Sequence, residues 1–185
     1  MTKSNSFWNE AGKAGLILGG ISILYMLITH FTGTLGSTGV GKAMLISVLN
    51  TLLWIGKFLA CIFCFKLLLR KYSACNPEAD NSDVFKFGVA VAFLSALLYS
   101  AFYLAYTLFI NPDVYEDAFN MISENYSSML DSNSITAIES MKTKMPQIGF
   151  FSNLIYCTLF GTVLSAILSR NIPSRTPFDK INQEQ

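Results

Sequence analysis

Four apolar blocks, at about residues 14–31, 43–69, 84–110 and 148–169, limit what this chain can become. Each is long enough to cross a bilayer, which takes about 20 residues. Inside lipid every backbone polar group must be satisfied within the segment, so such blocks are helices. A β-barrel would alternate apolar and polar residues over about ten positions, and these blocks do not alternate. Composition agrees: 52% of the 185 residues are hydrophobic and 14% charged, with a mean hydropathy of +0.44. The expected class is all-α, an integral membrane four-helix transmembrane bundle. An extracytoplasmic amphipathic helical hairpin, 111–146, stands between helices 3 and 4. Residues 1–13 form a polar cytoplasmic lead, 14–169 a single transmembrane domain, and 170–185 a cytoplasmic tail.

The cations set the orientation. Lys3, Lys13, Lys66, Arg70, Lys71, Lys86, Arg170, Arg175 and Lys180 flank one set of span ends. Lys42, Lys142 and Lys144 flank the other. The positive-inside rule puts both termini and the loop after Arg70 in the cytoplasm. A cleaved signal peptide fits less well, because the first apolar run exceeds the usual 7–15 residues and no A-x-A-like site follows. Net charge is +1, which gives no footing for a nucleic-acid partner.

Small residues recur at four-residue spacing in every span: Ala11, Gly15 and Gly19; Gly56, Ala60 and Cys64; Gly88, Ala92, Ala96 and Ser100; Gly161, Ser165 and Ser169. This spacing lets helix backbones approach closely. Packing within the bundle is the expected use; a dimer contact is the alternative.

Several motifs dissolve on their context. The run Gly36 to Lys42 spells a phosphate-binding loop, but no strand precedes it and Ala43 follows the lysine. Such a loop needs a strand before it and Ser or Thr after the lysine, so no nucleotide is expected. Cys61-x-x-Cys64 lies inside an apolar helix with no second pair to complete a zinc set. With Cys75 and Cys157 these read as free thiols, since no cysteine falls in an oxidising loop. Asn125-Tyr126-Ser127 is a glycosylation sequon, and the seam position of Tyr126 argues against a sugar there. His30 is the lone histidine, and the spans hold no Asp or Glu, so a carboxylate proton relay is missing. No catalytic, metal or cofactor-binding residues are assigned, and no enzyme activity is expected.

Lys57 is the anomaly. It lies near the middle of the second block, where a lysine costs about 2.5–3.5 kcal/mol on insertion scales. Counted inward along the helices, Tyr25, Asn50, Tyr99, Tyr103, Asn153 and Tyr156 form a polar layer beside it. Tyr99, Tyr103 and Tyr106 fall at i, i+4 and i+7 on one face. Either the layer is a cavity that binds a polar or anionic head group through Lys57, or it is a set of interhelical hydrogen bonds.

The 111–146 segment holds six of the chain's acids and two of its lysines. Asn111 and Pro112 open a helix, with Asp113, Glu116 and Asp117 in its first turn. Tyr115, Phe119, Ile122, Tyr126 and Met129 make one apolar seam. A break at Asp131 leads to a second, shorter helix capped by Ser134 and closed by Pro146. Surface-binding helices are usually rich in Lys and Arg, so this acidic one is expected to cap its own bundle or meet a partner protein.

The opening GLILGGISILYMLI, the stretch SDVFKFGVAVAFLSALLYSAF, the INPD at Ile110 to Asp113 and the closing LFGTVLSAILSR resemble a family of uncharacterised bacterial membrane proteins, domain of unknown function 4199. The likeness runs from about residue 8 to residue 170. It implies a bacterial inner-membrane protein with four helices and carries no catalytic residues over. It also hints at a lipid-linked glycosyltransferase as a partner besides the lipid bilayer itself.

Two functions are expected from this: a non-enzymatic accessory or interaction subunit of a membrane complex, or a small lipid-handling or transport component for a polyprenyl-linked sugar or other anionic lipid. Substitutions at Phe119 and Ile122, set against one at Lys57, separate them. The subunit reading loses if only the Lys57 change abolishes function while the complex persists.

Overall fold

The computed structural model describes residues 3–34, 40–126 and 131–172, with the backbone alone at positions such as Ile122 and Tyr126. Helix α1 spans Lys3–Thr34, α2 Val40–Cys75 and α3 Asn81–Ala105. A π-helical turn, Tyr106–Ile110, extends α3. Helix α4 spans Val114–Tyr126 and α5 Ser132–Arg170. There is no strand among the described residues, and four helices are long and apolar enough to cross a membrane.

Helix α3 is the axis of the bundle. Its small residues Gly88, Ala92 and Ala96 are buried with Val84, Phe87 and Val91. Helix α5 lies antiparallel to it: Ser165 donates its hydroxyl to the Phe85 carbonyl at 3.1 Å, and Gly161 sits against Ala92. Helix α1 runs parallel to α3, with Gly15 over Leu94 and Ser95 and Gly19 over Leu98. A Cβ at Gly15 would lie 2.9 Å from Leu94 Cβ, so the two backbones touch only because that position is glycine.

Helix α2 does not share in this. A Cβ at Gly56 would meet nothing within 4 Å, and Ala60 is exposed. The small stripe of α2 therefore faces away from its own bundle, contrary to the expectation that all four stripes pack inside. The helix is held near its ends instead. At one end Phe65 and Leu69 are buried in the core cluster with Ala11, Ala14, Phe87 and Val91. There Tyr72 stacks on Phe87 at 3.9 Å between ring centroids, and Phe7 meets both rings edge-on. Toward the other end Thr32 donates to Asn50 Oδ1 at 2.9 Å.

The helices outrun the expected spans, and three boundaries differ in kind. The polar N-terminal lead is helical from Lys3. Helix α5 does not stop at Pro146 but runs 39 residues through it. The proline removes one backbone bond and crowds the preceding turn, and membrane helices absorb this when neighbours pack around the break; Pro146 is buried. The cap is Asp131, whose carboxylate accepts the Ser134 N–H at 2.8 Å, in place of Ser134 itself. Asp80 caps α3 through the Asp83 N–H in the same way. Between α2 and α3 the chain turns at Asn76-Pro77, closed by Ala79 N–H on the Asn76 carbonyl at 2.9 Å.

Gly88 and Gly56 make a matched pair. A Cβ at Gly88 would run into Ser165 and approach Leu69 Cδ2 to 3.1 Å, so Gly88→Ala is expected to cost about 1–3 kcal/mol. Gly56→Ala has room and should be neutral, or stabilising by up to about 1 kcal/mol. Unfolding of the purified variants in mixed micelles measures both; equal effects would contradict the packing described.

Candidate functional site

Where α2 stands off between its anchors, it leaves a cavity of about 160 Å³ bounded by α1, α2, α3 and α5. Lys57 lines it, with Ser22 from α1, Ser95 and Tyr99 from α3, and Cys157 from α5. The ammonium lies 4.9 Å from the ring centroid of Tyr25 and 5.3 Å from that of Tyr99. It is thus held by the faces of two tyrosines on different helices. Each such contact is worth about 0.5–2 kcal/mol, more when water is excluded. No carboxylate of the described residues stands within ion-pair distance of it. The charge is stabilised but not neutralised.

A second hollow, of about 530 Å³, opens between α1 and α2 on the α4 side. It is lined by Tyr25, Gly33, Ile46, Ser47, Asn50, Thr51 and Trp54. Trp54 borders both spaces, and Tyr25 separates the vestibule from the ammonium it covers. The polar side chains Ser47, Asn50 and Thr51 thus lead inward toward the cation.

The expected polar layer is therefore divided. Lys57, Tyr99 and Tyr156 line the inner cavity, Tyr25 and Asn50 the vestibule. Asn153 is half-buried on α5 and lines neither space. Tyr103 turns elsewhere: its hydroxyl meets that of Tyr115 at 2.6 Å. The two tyrosines of α3 and the one that opens its π-helical extension thus serve three neighbours. Tyr99 faces Lys57, Tyr103 faces α4, and Tyr106 bonds His30 Nδ1 at 2.6 Å. The last of these sits at the π-helical turn, closed by Asn111 N–H on the Tyr106 carbonyl at 2.9 Å.

Helix α4 is tied to the bundle at two points. Tyr115 ties it to α3, and Lys142 ties α5 to Glu116 at 2.8 Å. Gly149 makes the tyrosine pair possible, because a Cβ there would lie 2.7 Å from Tyr103 Cε1 and 3.0 Å from Tyr115 Oη. Asn111 turns its amide toward the Tyr106 hydroxyl at 3.4 Å, and α4 begins only at Val114, so the expected start at Asn111-Pro112 gives way to a turn. Asp113 is exposed and Phe119 half-buried. Met129 lies outside the described residues, as do the side chains of Ile122 and Tyr126.

Sequence reasoning passed over the aromatic lining: Trp54, Phe58 and Phe160. Trp54 stands three residues before Lys57 and four before Phe58, which puts it one turn from both; that spacing was the available signal.

A cavity holding a lysine, inside a bundle of four helices long and apolar enough to cross a membrane, with a short amphipathic helix tied to one end, defines a small multi-pass membrane protein. Residues 13–170 match the family described as Protein of unknown function (DUF4199), and the chain belongs to that family. No curated protein and no solved structure matches it.

Burial, and then the bond to Tyr103, raise the Tyr115 hydroxyl above the ordinary tyrosine range. A folded value above the unfolded one means the latch contributes fully below about pH 10 and is lost only as pH rises through the higher folded value. At neutral pH, Tyr115→Phe should loosen α4 by about 1 kcal/mol. Amide exchange across 114–126 should then be roughly fivefold faster. Unchanged protection would show that the pair does not hold the cap.

Proposed function

We propose that this chain is a non-catalytic lipid-handling protein that holds an anionic head group at Lys57. The observation that carries the reading is the ammonium between Tyr25 and Tyr99, facing a cavity with no carboxylate of the described residues to neutralise it. Charges in a membrane interior pair with one another or mark a ligand path. An anion entering this cavity would complete the pairing, and a charge-assisted bond contributes about 1.5–3 kcal/mol. The vestibule, with Ser47, Asn50 and Thr51 in its lining, lies beside the cavity across Tyr25 and Trp54.

The orientation belongs to the same proposal. With nine cations at one set of ends, the chain sits in a bacterial inner membrane with both termini and the 76–80 turn in the cytoplasm. The vestibule and α4 then face outward. A second reading, an interaction subunit, is favoured by one observation: the Gly56 and Ala60 stripe of α2 is open to a partner helix.

Thermal unfolding in a neutral detergent tests the main reading. Inorganic phosphate or a short-chain phosphatidic acid should raise the midpoint with a saturating dependence on concentration. Lys57→Gln should abolish the rise and Lys57→Arg preserve it. A rise that ignores Lys57, or no rise with either anion, removes the proposal. Orientation is checked at exposed Cys75: an impermeant maleimide should label it only after the cytoplasmic side is opened.

A further inference from the structure

The cavity around Lys57 has a wall unlike its others. Its boundary between α2 and α5 carries a row of four aromatic rings that reach the surface of the bundle. Trp54 stacks on Phe58, with ring centroids 5.9 Å apart and planes at 18°. Phe58 meets Phe160 across the helix gap at 5.5 Å. Phe160 stacks in turn on Tyr156 at 6.4 Å and 14°. All four rings line the cavity, and all four are exposed at the surface of the bundle, from 39% for Phe58 and Phe160 to 70% for Tyr156. One ribbon of rings therefore has the ammonium behind it and the bilayer in front.

Little else closes this side. Helix α2 is anchored through α1 and α3 near its ends, and Gly56 and Ala60 offer no contact that would draw α5 closer. Rings packed by dispersion part at lower cost than a hydrogen-bonded seam, because no polar group is orphaned when they separate. The opposite wall is different: there Ser22 and Ser95 stand among small residues of tightly packed helices.

We propose that the Trp54–Phe58–Phe160–Tyr156 ribbon is a lateral gate, and that the occupant of the Lys57 cavity is a phosphate-bearing lipid whose chain leaves between these rings into the bilayer. This rests on the function proposed above and narrows it. A soluble anion would need the vestibule alone. A lipid needs a cation for its head group and an apolar slot to the membrane at the same depth. The ring ribbon is that slot, and it is continuous with the cation.

Trp54 is its own reporter, since Trp8 is the chain's other tryptophan. In a Trp8→Phe background, the protein is placed in phosphatidylcholine nanodiscs containing a small fraction of phosphatidic acid with brominated chains. Bromine quenches tryptophan only in contact. Brominated phosphatidic acid should quench Trp54 with an apparent affinity at least about tenfold above that of brominated phosphatidylcholine at equal fraction. Lys57→Gln should remove the preference, and Lys57→Arg should keep it, which separates loss of the site from loss of the fold. Unlabelled phosphatidic acid should relieve the quenching, and inorganic phosphate, which shares the head-group charge but fills no apolar slot, should do so only at a concentration at least about tenfold higher. Equal quenching by the two lipids overturns the gate. So does a preference that survives Lys57→Gln, or one that inorganic phosphate relieves as well as the lipid does. If the phosphate-dependent rise in unfolding temperature is still seen in those cases, the head-group reading stands and only the lipid fails; if that rise is absent too, both fail.

Discussion

Helices in a bilayer have no hydrophobic force between them, because lipid tails are as apolar as leucine. What brings them together is how closely their surfaces fit, and here that fit is concentrated on α3. Gly88 and Ala92 admit α5 on one side; Gly15 and Gly19 of α1 close on the other. Helix α2 contributes its stripe to neither contact. It is retained by an aromatic staple near one end and a Thr32–Asn50 bond toward the other. The cavity is the space left when three helices pack tightly and the fourth is suspended beside them.

That suspended helix carries the one lysine placed deep in a span. Insertion alone costs about 2.5–3.5 kcal/mol. Two aromatic faces return an amount of the same order without supplying a counter-charge. A carboxylate at either tyrosine position would have satisfied the charge locally and left nothing to attract a ligand. The tyrosines stabilise the cation and still leave it attractive to an anion, which is a different arrangement from a buried ion pair.

The four spans and the amphipathic α4 were legible from apolar run length and seam spacing, which are local properties of the chain. Lys57 was legible as an anomaly because charge at mid-span has few innocent explanations. The division of the polar layer was not legible. Depth along a helix can be counted, but Tyr99, Tyr103 and Tyr106 reach three different neighbours, and only packing decides that. The continuation of α5 through Pro146 was hidden for a related reason: proline is a strong local stop signal, and tertiary contacts override it. The Gly56 stripe was misjudged because small residues mark where a helix could pack, whereas its orientation marks whether it does.

The π-helical turn at Tyr106–Ile110 holds one residue more than the α-helix it extends, as such turns do. Losing that residue would return the segment to regular helix, while the stretch below and the Asn111 turn above would keep their facing. Removing one residue elsewhere in α3 would swing everything beyond it by about 100° around the axis. The turn is therefore a place where one residue could be lost without rotating the stretch that faces Lys57. The His30–Tyr106 bond fixes the start of that turn against α1.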